Sequence, residues 1–89
     1  MSRTVFVNGE YLPEEQAKVS VFDRGFLMAD AVYEVTTVLD GKLVQFDGHM
    51  TRLARSLGEL QMDAPCSSDE LLKIHRRLVD VNDVGEGLV

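Results

Sequence analysis

The sequence predicts a small α+β fold, in which a small antiparallel sheet of hairpins precedes two helices packed on one side. Two turn signals, Asn8-Gly9 and Asp40-Gly41, each separate short runs rich in β-branched and aromatic residues. These dipeptides are typical of two-residue hairpin turns, whose central residues need a positive φ. Two apolar stripes at helical spacing follow in the second half of the chain. Because the strands come first and the helices afterwards, the order favours α+β over parallel α/β.

The first hairpin is predicted over residues 4–7 and 10–12, with Asn8-Gly9 as its turn. Residues 17–22 alternate apolar and polar side chains, which indicates another short strand or an extended segment. Asp23 is predicted to cap a brief helical turn, with Gly25 allowing a tight bend.

The second hairpin is predicted over residues 32–46, around the Asp40-Gly41 turn. Period-two alternation divides the first strand of this hairpin into two faces. One face carries Val32, Glu34, Thr36 and Val38, and the other carries Tyr33, Val35, Thr37 and Leu39.

Two amphipathic helices are predicted in the second half of the chain. The first spans residues 48–60 behind an Asp47 cap and has an apolar stripe formed by Met50, Leu53, Ala54, Leu57 and Leu60. The second begins at a capping box, with Ser67 as the cap and Glu70 three residues later, and ends near Asn82. Its apolar face consists of Leu71, Ile74, His75 and Leu78.

Composition limits the classes of function. The 89 residues suffice for one domain, and the net charge of −6 argues against nucleic-acid binding. No apolar run approaches the length of a membrane span, and no signal-peptide core is visible, so we expect a cytoplasmic protein without a membrane partner. Cys66 is the single cysteine and the histidines are only two, so neither a disulfide nor a metal site is predicted.

Arg52 is the first candidate for chemistry, because it lies at the border of the apolar stripe with His49 three residues earlier. Its planar guanidinium could hold an anion, or its aliphatic stem could simply cover the edge of the core. Tyr33 could direct its hydroxyl at a ligand or be an ordinary strand residue. Residue types alone leave both alternatives open in each case.

The quoted segments together resemble one enzyme family. Asp23-Arg24-Gly25-Phe26, residues 29–34, the Asp40-Gly41 turn and His49-Met50-Thr51-Arg52-Leu53 resemble the N-terminal domain of the class IV (fold-type IV) pyridoxal-phosphate-dependent aminotransferases. The variant is most similar to the D-amino acid (D-alanine) aminotransferases. The match covers essentially the whole chain. Residues 82–87 form a turn and Leu88-Val89 begins a strand, so we expect the N-terminal part of a longer two-domain enzyme.

The resemblance implies roles for particular residues. Arg52 matches the arginine that grips the phosphate of pyridoxal phosphate, and His49 matches a histidine beside it. Tyr33 matches the tyrosine that faces the substrate carboxylate. Glu34, the next residue, matches an acid with a supporting role in substrate binding. Residues 23–25 match a turn that shapes the wall of the site and the subunit interface. The family also implies an amino acid and a 2-oxo acid as substrates, and a homodimer.

The chain departs from the family in two respects. Ala29 and Ala31 flank Asp30 where the family commonly has glycine, so the local bend is expected to differ. None of Lys18, Lys42 and Lys73 matches the lysine that carries the cofactor, so we expect no catalytic residue here and no activity from these 89 residues alone.

Three alternatives remain open. Branched-chain aminotransferase and aminodeoxychorismate lyase belong to the same family but tend to carry Phe before the acid that matches Glu34. The Tyr33-Glu34 pair therefore favours the D-amino acid branch. The third alternative is a non-catalytic dimerisation or binding module.

Overall fold

The computed structural model describes residues 2–89 and confirms an α+β fold. The elements are, in chain order, β1 (Thr4–Val7), β2 (Glu10–Pro13), a 3-10 turn (Glu14–Gln16), α1 (Arg24–Met28), β3 (Thr37–Leu39), β4 (Lys42–Leu43), α2 (Phe46–Glu59), α3 (Ser68–Val81) and β5 (Gly87–Leu88). The strands form two antiparallel sheets, one of β1 and β2 and one in the order β4-β3-β5. The hairpins therefore do not share the single sheet that was expected.

Both predicted hairpin turns are confirmed. Asn8 and Gly9 have φ values of 51° and 85°, and Asp40 and Gly41 have 52° and 71°. Two successive positive φ values match the right-handed twist of the flanking strands, which is why Asn-Gly and Asp-Gly occur here.

The segment before the second hairpin differs in detail from the prediction. Residues 17–22 join no sheet, so the strand alternative is wrong there. Asp23 caps α1 as predicted, since its Oδ2 accepts hydrogen bonds from Gly25 N (3.0 Å) and Phe26 N (3.3 Å). Gly25 itself is helical, and a Cβ there would lie 2.9 Å from Asp23 Oδ2. Its small size is needed for this close approach, while the bend falls on Ala29, whose φ is 54°.

The alternation of the two strand faces is confirmed, although the second hairpin is shorter than predicted. Its paired strands are β3 and β4, and Thr36 pairs beyond them with Val89 through hydrogen bonds of 2.7 and 2.9 Å. Thr36 and Val38 are buried and Val32 and Glu34 half-buried, whereas all members of the other face are exposed.

Helix α2 begins at Phe46, so the prediction of a strand to residue 46 and of an Asp47 cap is wrong. Gln45 occupies the cap position with φ 59° and makes no capping bond through its side chain. Phe46 is only 9% exposed, and its ring packs edge-on against His75 at 5.2 Å between centroids. The local pattern of apolar residues does not reveal this contact between α2 and the segment of His75.

Helix α3 begins as predicted, with Ser67 Oγ accepting a hydrogen bond from Glu70 N at 3.1 Å. The C-terminal end of α3 holds the first hairpin. Asn82 accepts from Thr4 N and donates to Thr4 O, both at 2.8 Å, and the guanidinium of Arg77 lies 4.3 Å from the centre of the Tyr11 ring.

The hydrophobic core is small and lies between β3 and the two long helices. Its buried apolar members are Val38, Phe46, Leu57 and Val79. Among residues 2–89, no helix combines the length and the apolar character needed to cross a bilayer.

Candidate functional site

Three charged or polar side chains converge where the segment leading into β3 passes α2. Glu34 points inward because it shares the face of Thr36 and Val38, and its side chain is only 9% exposed. His49 and Arg52 lie one helical turn apart on α2 and so present their side chains to the same neighbour. The fold thereby brings together three of the four predicted site residues.

The carboxylate of Glu34 accepts three hydrogen bonds. Arg52 donates through Nε to Oε2 and through Nη2 to Oε1, each at 2.8 Å. His49 Nδ1 lies 2.6 Å from the same Oε1. The Arg52–Glu34 contact is therefore a bidentate ion pair, which a guanidinium can form and a lysine ammonium cannot.

These contacts set the charge state of the site. The hydrogen bond from Arg52, then that from His49, lower the pKa of Glu34 from 4.5 to about 2, against the opposing effect of burial. Hydrogen bonding to Glu34 in turn raises the pKa of Arg52. The carboxylate is consequently ionised, and acceptor-only, at neutral pH.

Arg52 retains donors for a further partner. A guanidinium has five N–H groups, and Glu34 takes two of them. The Arg52 side chain is 56% exposed, so its remaining donors are accessible to a ligand. Arg52 can therefore bind an anion without leaving Glu34.

A depression of about 170 Å³ lies beside these donors, lined by Gln45, Gly48, His49 and Arg52. It lies at the N-terminal end of α2, where the helix dipole favours negative charge. Neither Gln45 nor Gly48 is among the predicted site residues. The sequence pattern did not indicate them, because it placed Gln45 in the returning strand, whereas the structure begins α2 at Phe46 and so brings Gln45 and Gly48 beside His49.

A larger open groove of about 1160 Å³ shares Gln45 and Gly48 with this depression. Acidic residues predominate over basic ones in its lining: Asp40, Asp47, Asp80 and Asp83 face Lys42 and Arg76. An anion is less favoured in such a groove than beside Arg52.

Tyr33 leaves the chain on the face opposite to Glu34. It is 83% exposed, and the apolar side chains of Val35, Leu39 and Leu88 are exposed as well. The contact with a substrate that was predicted for Tyr33 and Glu34 stays a prediction, as does the binding of a cofactor by Arg52 and His49.

The remaining predicted features lie outside the cluster. Arg24 pairs with Asp30 at 3.0 Å across the bend after α1. Lys18, Lys42 and Lys73 are exposed, and none of them forms an ion pair with Glu34 in the described part of the chain.

Comparison with known proteins gives one family. Residues 31–89 match the family model described as amino-transferase class IV. The chain is 39% identical to a D-alanine aminotransferase of Staphylococcus aureus (strain MSSA476) over 85 residues, which are 96% of this chain and 30% of that protein.

Two further relatives show similar coverage. A D-alanine aminotransferase of Staphylococcus epidermidis (strain ATCC 12228 / FDA PCI 1200) is 42% identical over 83 residues, 93% of this chain and 29% of the relative. An aminodeoxychorismate lyase of Bacillus subtilis (strain 168) is 36% identical over 83 residues, 93% of this chain and 28% of the relative. The chain thus spans less than a third of the length of the relatives it matches.

Proposed function

This chain belongs to the class IV aminotransferases, and from that premise we propose that it is the N-terminal domain of an enzyme that transfers an amino group between a D-amino acid and a 2-oxo acid. The cofactor would be pyridoxal phosphate, and the complete enzyme a cytoplasmic homodimer. The identities of 39% and 42% to D-alanine aminotransferases support this branch.

The observation that carries the proposal is the paired yet accessible guanidinium of Arg52. The donor set beside the depression fits a phosphate group, because Arg52 is held rigidly through two bonds and keeps three N–H groups free. His49 would lie beside the phosphate. Pyridoxal phosphate, when bound, supplies an electron sink for removal of the α-proton of an amino acid.

The residues of this chain would bind and orient rather than transfer protons. Arg52 would anchor the phosphate, and the exposed Tyr33 hydroxyl, in the segment before β3, would donate to the carboxylate of the substrate. Lys18, Lys42 and Lys73 are exposed and lie outside the cluster of Glu34, His49 and Arg52. The lysine that binds the cofactor covalently would therefore come from another part of the enzyme.

Arg52 provides the test of the cofactor site. In the full-length gene product, we expect Arg52→Lys to weaken binding of pyridoxal phosphate by about tenfold, because the charge remains but the planar fork is lost. Arg55→Lys is the matched control, because Arg55 is an exposed arginine of the same helix. Equal affinities of the two variants would refute the assignment.

A second candidate function is aminodeoxychorismate lyase, which the 36% identity to that enzyme favours. Assays of the full-length product with D-alanine, L-leucine and aminodeoxychorismate would separate the branches. Turnover of L-leucine or aminodeoxychorismate without turnover of D-alanine would exclude our choice.

The 89 residues alone are proposed to be inactive. Borohydride reduction of this chain with pyridoxal phosphate should then label no single lysine preferentially. A specific label on Lys18, Lys42 or Lys73 that accompanies turnover would contradict this proposal. A non-catalytic module would instead lack turnover in the full-length product as well.

A further inference from the structure

Residues 32–35 have the burial pattern of a strand, although they pair with no strand among residues 2–89. Their side chains are half-buried at the even positions and exposed at the odd ones, which is the alternation of an extended chain. The next residue, Thr36, is already paired, because it exchanges backbone hydrogen bonds of 2.7 and 2.9 Å with Val89. An unpaired stretch of strand therefore lies directly beside the last pair between the β3 and β5 segments.

The backbone of Glu34 faces the edge along which β5 runs. In an extended strand, the backbone groups of alternate residues point to the same side. Thr36 bonds to Val89 on that side, whereas Thr37 O accepts from Val44 N at 2.9 Å on the other. Glu34 is two residues from Thr36, so its backbone N–H and C=O point towards the path of β5. Neither group has a backbone partner within residues 2–89.

These unpaired groups lie at a position that matters for the charge cluster. Backbone N–H and C=O groups that are removed from water are almost always hydrogen-bonded in folded proteins, and Glu34 is half-buried. Within residues 2–89, hydrogen bonds hold Glu34 only through its carboxylate, which in turn holds His49 and Arg52. A strand at this edge would fix the backbone of the residue on which the orientation of the guanidinium depends.

We propose that the residues following Val89 in the full-length enzyme continue β5 along this edge and pair with residues 32–35. This segment is favoured over a second copy of the chain because β5 is already aligned on β3, so pairing requires no association of two molecules. The matched segment is 30% of the Staphylococcus aureus relative, which leaves ample chain for such a strand. The proposal rests on the proposed function in one respect, namely that the enzyme extends beyond Val89.

The register of the existing pairs specifies the contacts of this extension. Thr36 faces Val89, and the two strands are antiparallel. The first residue after Val89 therefore faces Val35, and the second faces Glu34. The pair with Glu34 is of the hydrogen-bonded kind, which satisfies both of its backbone groups. The pair with Val35 is of the other kind, in which the Cα atoms approach to about 4.5 Å.

Amide hydrogen exchange, followed residue by residue by NMR, tests the pairing in the 89-residue chain and in the full-length product. We expect the amide of Glu34 to exchange at least about 100-fold more slowly in the full-length product, because there it is bonded within a sheet. Thr36 is the internal control, since its amide is bonded to Val89 O at 2.7 Å and should be protected in both proteins. A Glu34 amide that exchanges equally fast in both would overturn the proposal.

A disulfide identifies the segment that occupies the edge. Val35→Cys is combined with a cysteine at the first position after Val89, in a full-length product from which Cys66 and any later cysteine have been removed. The two should oxidise to a disulfide within one molecule, because their Cα atoms lie within the span of such a bond. The matched control places the second cysteine one position later, where its side chain points to the opposite face and should not cross-link.

The outcomes separate the possible occupants and the two proposals. A cross-link between two molecules would assign the edge to a second copy, and equal cross-linking of both variants, or of neither, would refute the register. An active product whose Glu34 amide stays unprotected would refute only the extension of β5. A product that protects this amide and forms the cross-link but does not transaminate would refute only the proposed function.

Discussion

Glu34→Gln gives the most direct test of the charge cluster, because the pKa of Glu34 differs strongly between the folded and unfolded chain. The hydrogen bonds from Arg52 and His49 lower this pKa from 4.5 to about 2 in the folded state. A lowered folded-state pKa means that the carboxylate stabilises the fold fully above about pH 4.5 and progressively less as the pH falls towards 2. Gln keeps the shape of the side chain but removes this dependence.

The two pKa values determine the number of protons involved. Near pH 3.2, midway between 2 and 4.5, the unfolded carboxyl is almost fully protonated and the folded one almost fully ionised. Unfolding therefore takes up about 0.9 proton at this residue near pH 3.2 and almost none above about pH 6. The difference in unfolding free energy between the unsubstituted chain and Glu34→Gln should be constant from pH 6 to 7 and shrink as the pH falls below about 4.5.

Urea unfolding followed by circular dichroism from pH 7 to 3.5 measures this difference. Glu59→Gln is the matched control, because Glu59 is an exposed residue at the end of α2. The difference in unfolding free energy between Glu59→Gln and the unsubstituted chain should not shrink in this way as the pH falls below about 4.5. A difference for Glu34→Gln that stays constant down to pH 3.5 would show that the carboxylate is not held by Arg52 and His49.

Three further substitutions test the fold around the site, each by denaturant unfolding at pH 7. Asn82→Ala removes three hydrogen bonds of 2.8 Å, two of them to Thr4, and should destabilise the chain by about 2–3 kcal/mol. A loss below about 0.5 kcal/mol would contradict the anchoring of the first hairpin by Asn82. Ala29→Gly relieves a φ of 54° and should stabilise by about 0.5–1 kcal/mol, so any destabilisation would count against strain at the bend. Thr36→Val removes a buried hydroxyl that has no partner within residues 2–89 and should be neutral or stabilising by about 1 kcal/mol, whereas a clear loss would indicate a bond to water.

Several elements could be predicted because short-range stereochemistry determines them. Asn-Gly and Asp-Gly specify their turns through the positive φ of both residues. Asp23 and Ser67 cap helices through bonds to residues only two or three positions away. The two faces of residues 32–39 follow from the period of an extended chain alone.

Other features depended on contacts between distant residues. Phe46 lies in α2 and its ring packs against His75 of α3, a contact that local periodicity does not reveal. Residues 17–22 alternate like a strand but have no partner in either sheet. Ala29 adopts the left-handed conformation usually given to glycine, in a bend that the Arg24–Asp30 ion pair spans.

The sequence by itself determined the class of fold, the family and the identity of the side chains that carry the chemistry. Alternation placed Glu34 on the same face as Thr36 and Val38, and helical spacing placed His49 and Arg52 close together on one helix surface. Only the tertiary structure decided that these two faces meet, with one carboxylate bonded to both partners. The physical reason is that local periodicity orients a side chain relative to its own element, whereas its partner is selected by the packing of elements far apart in the chain.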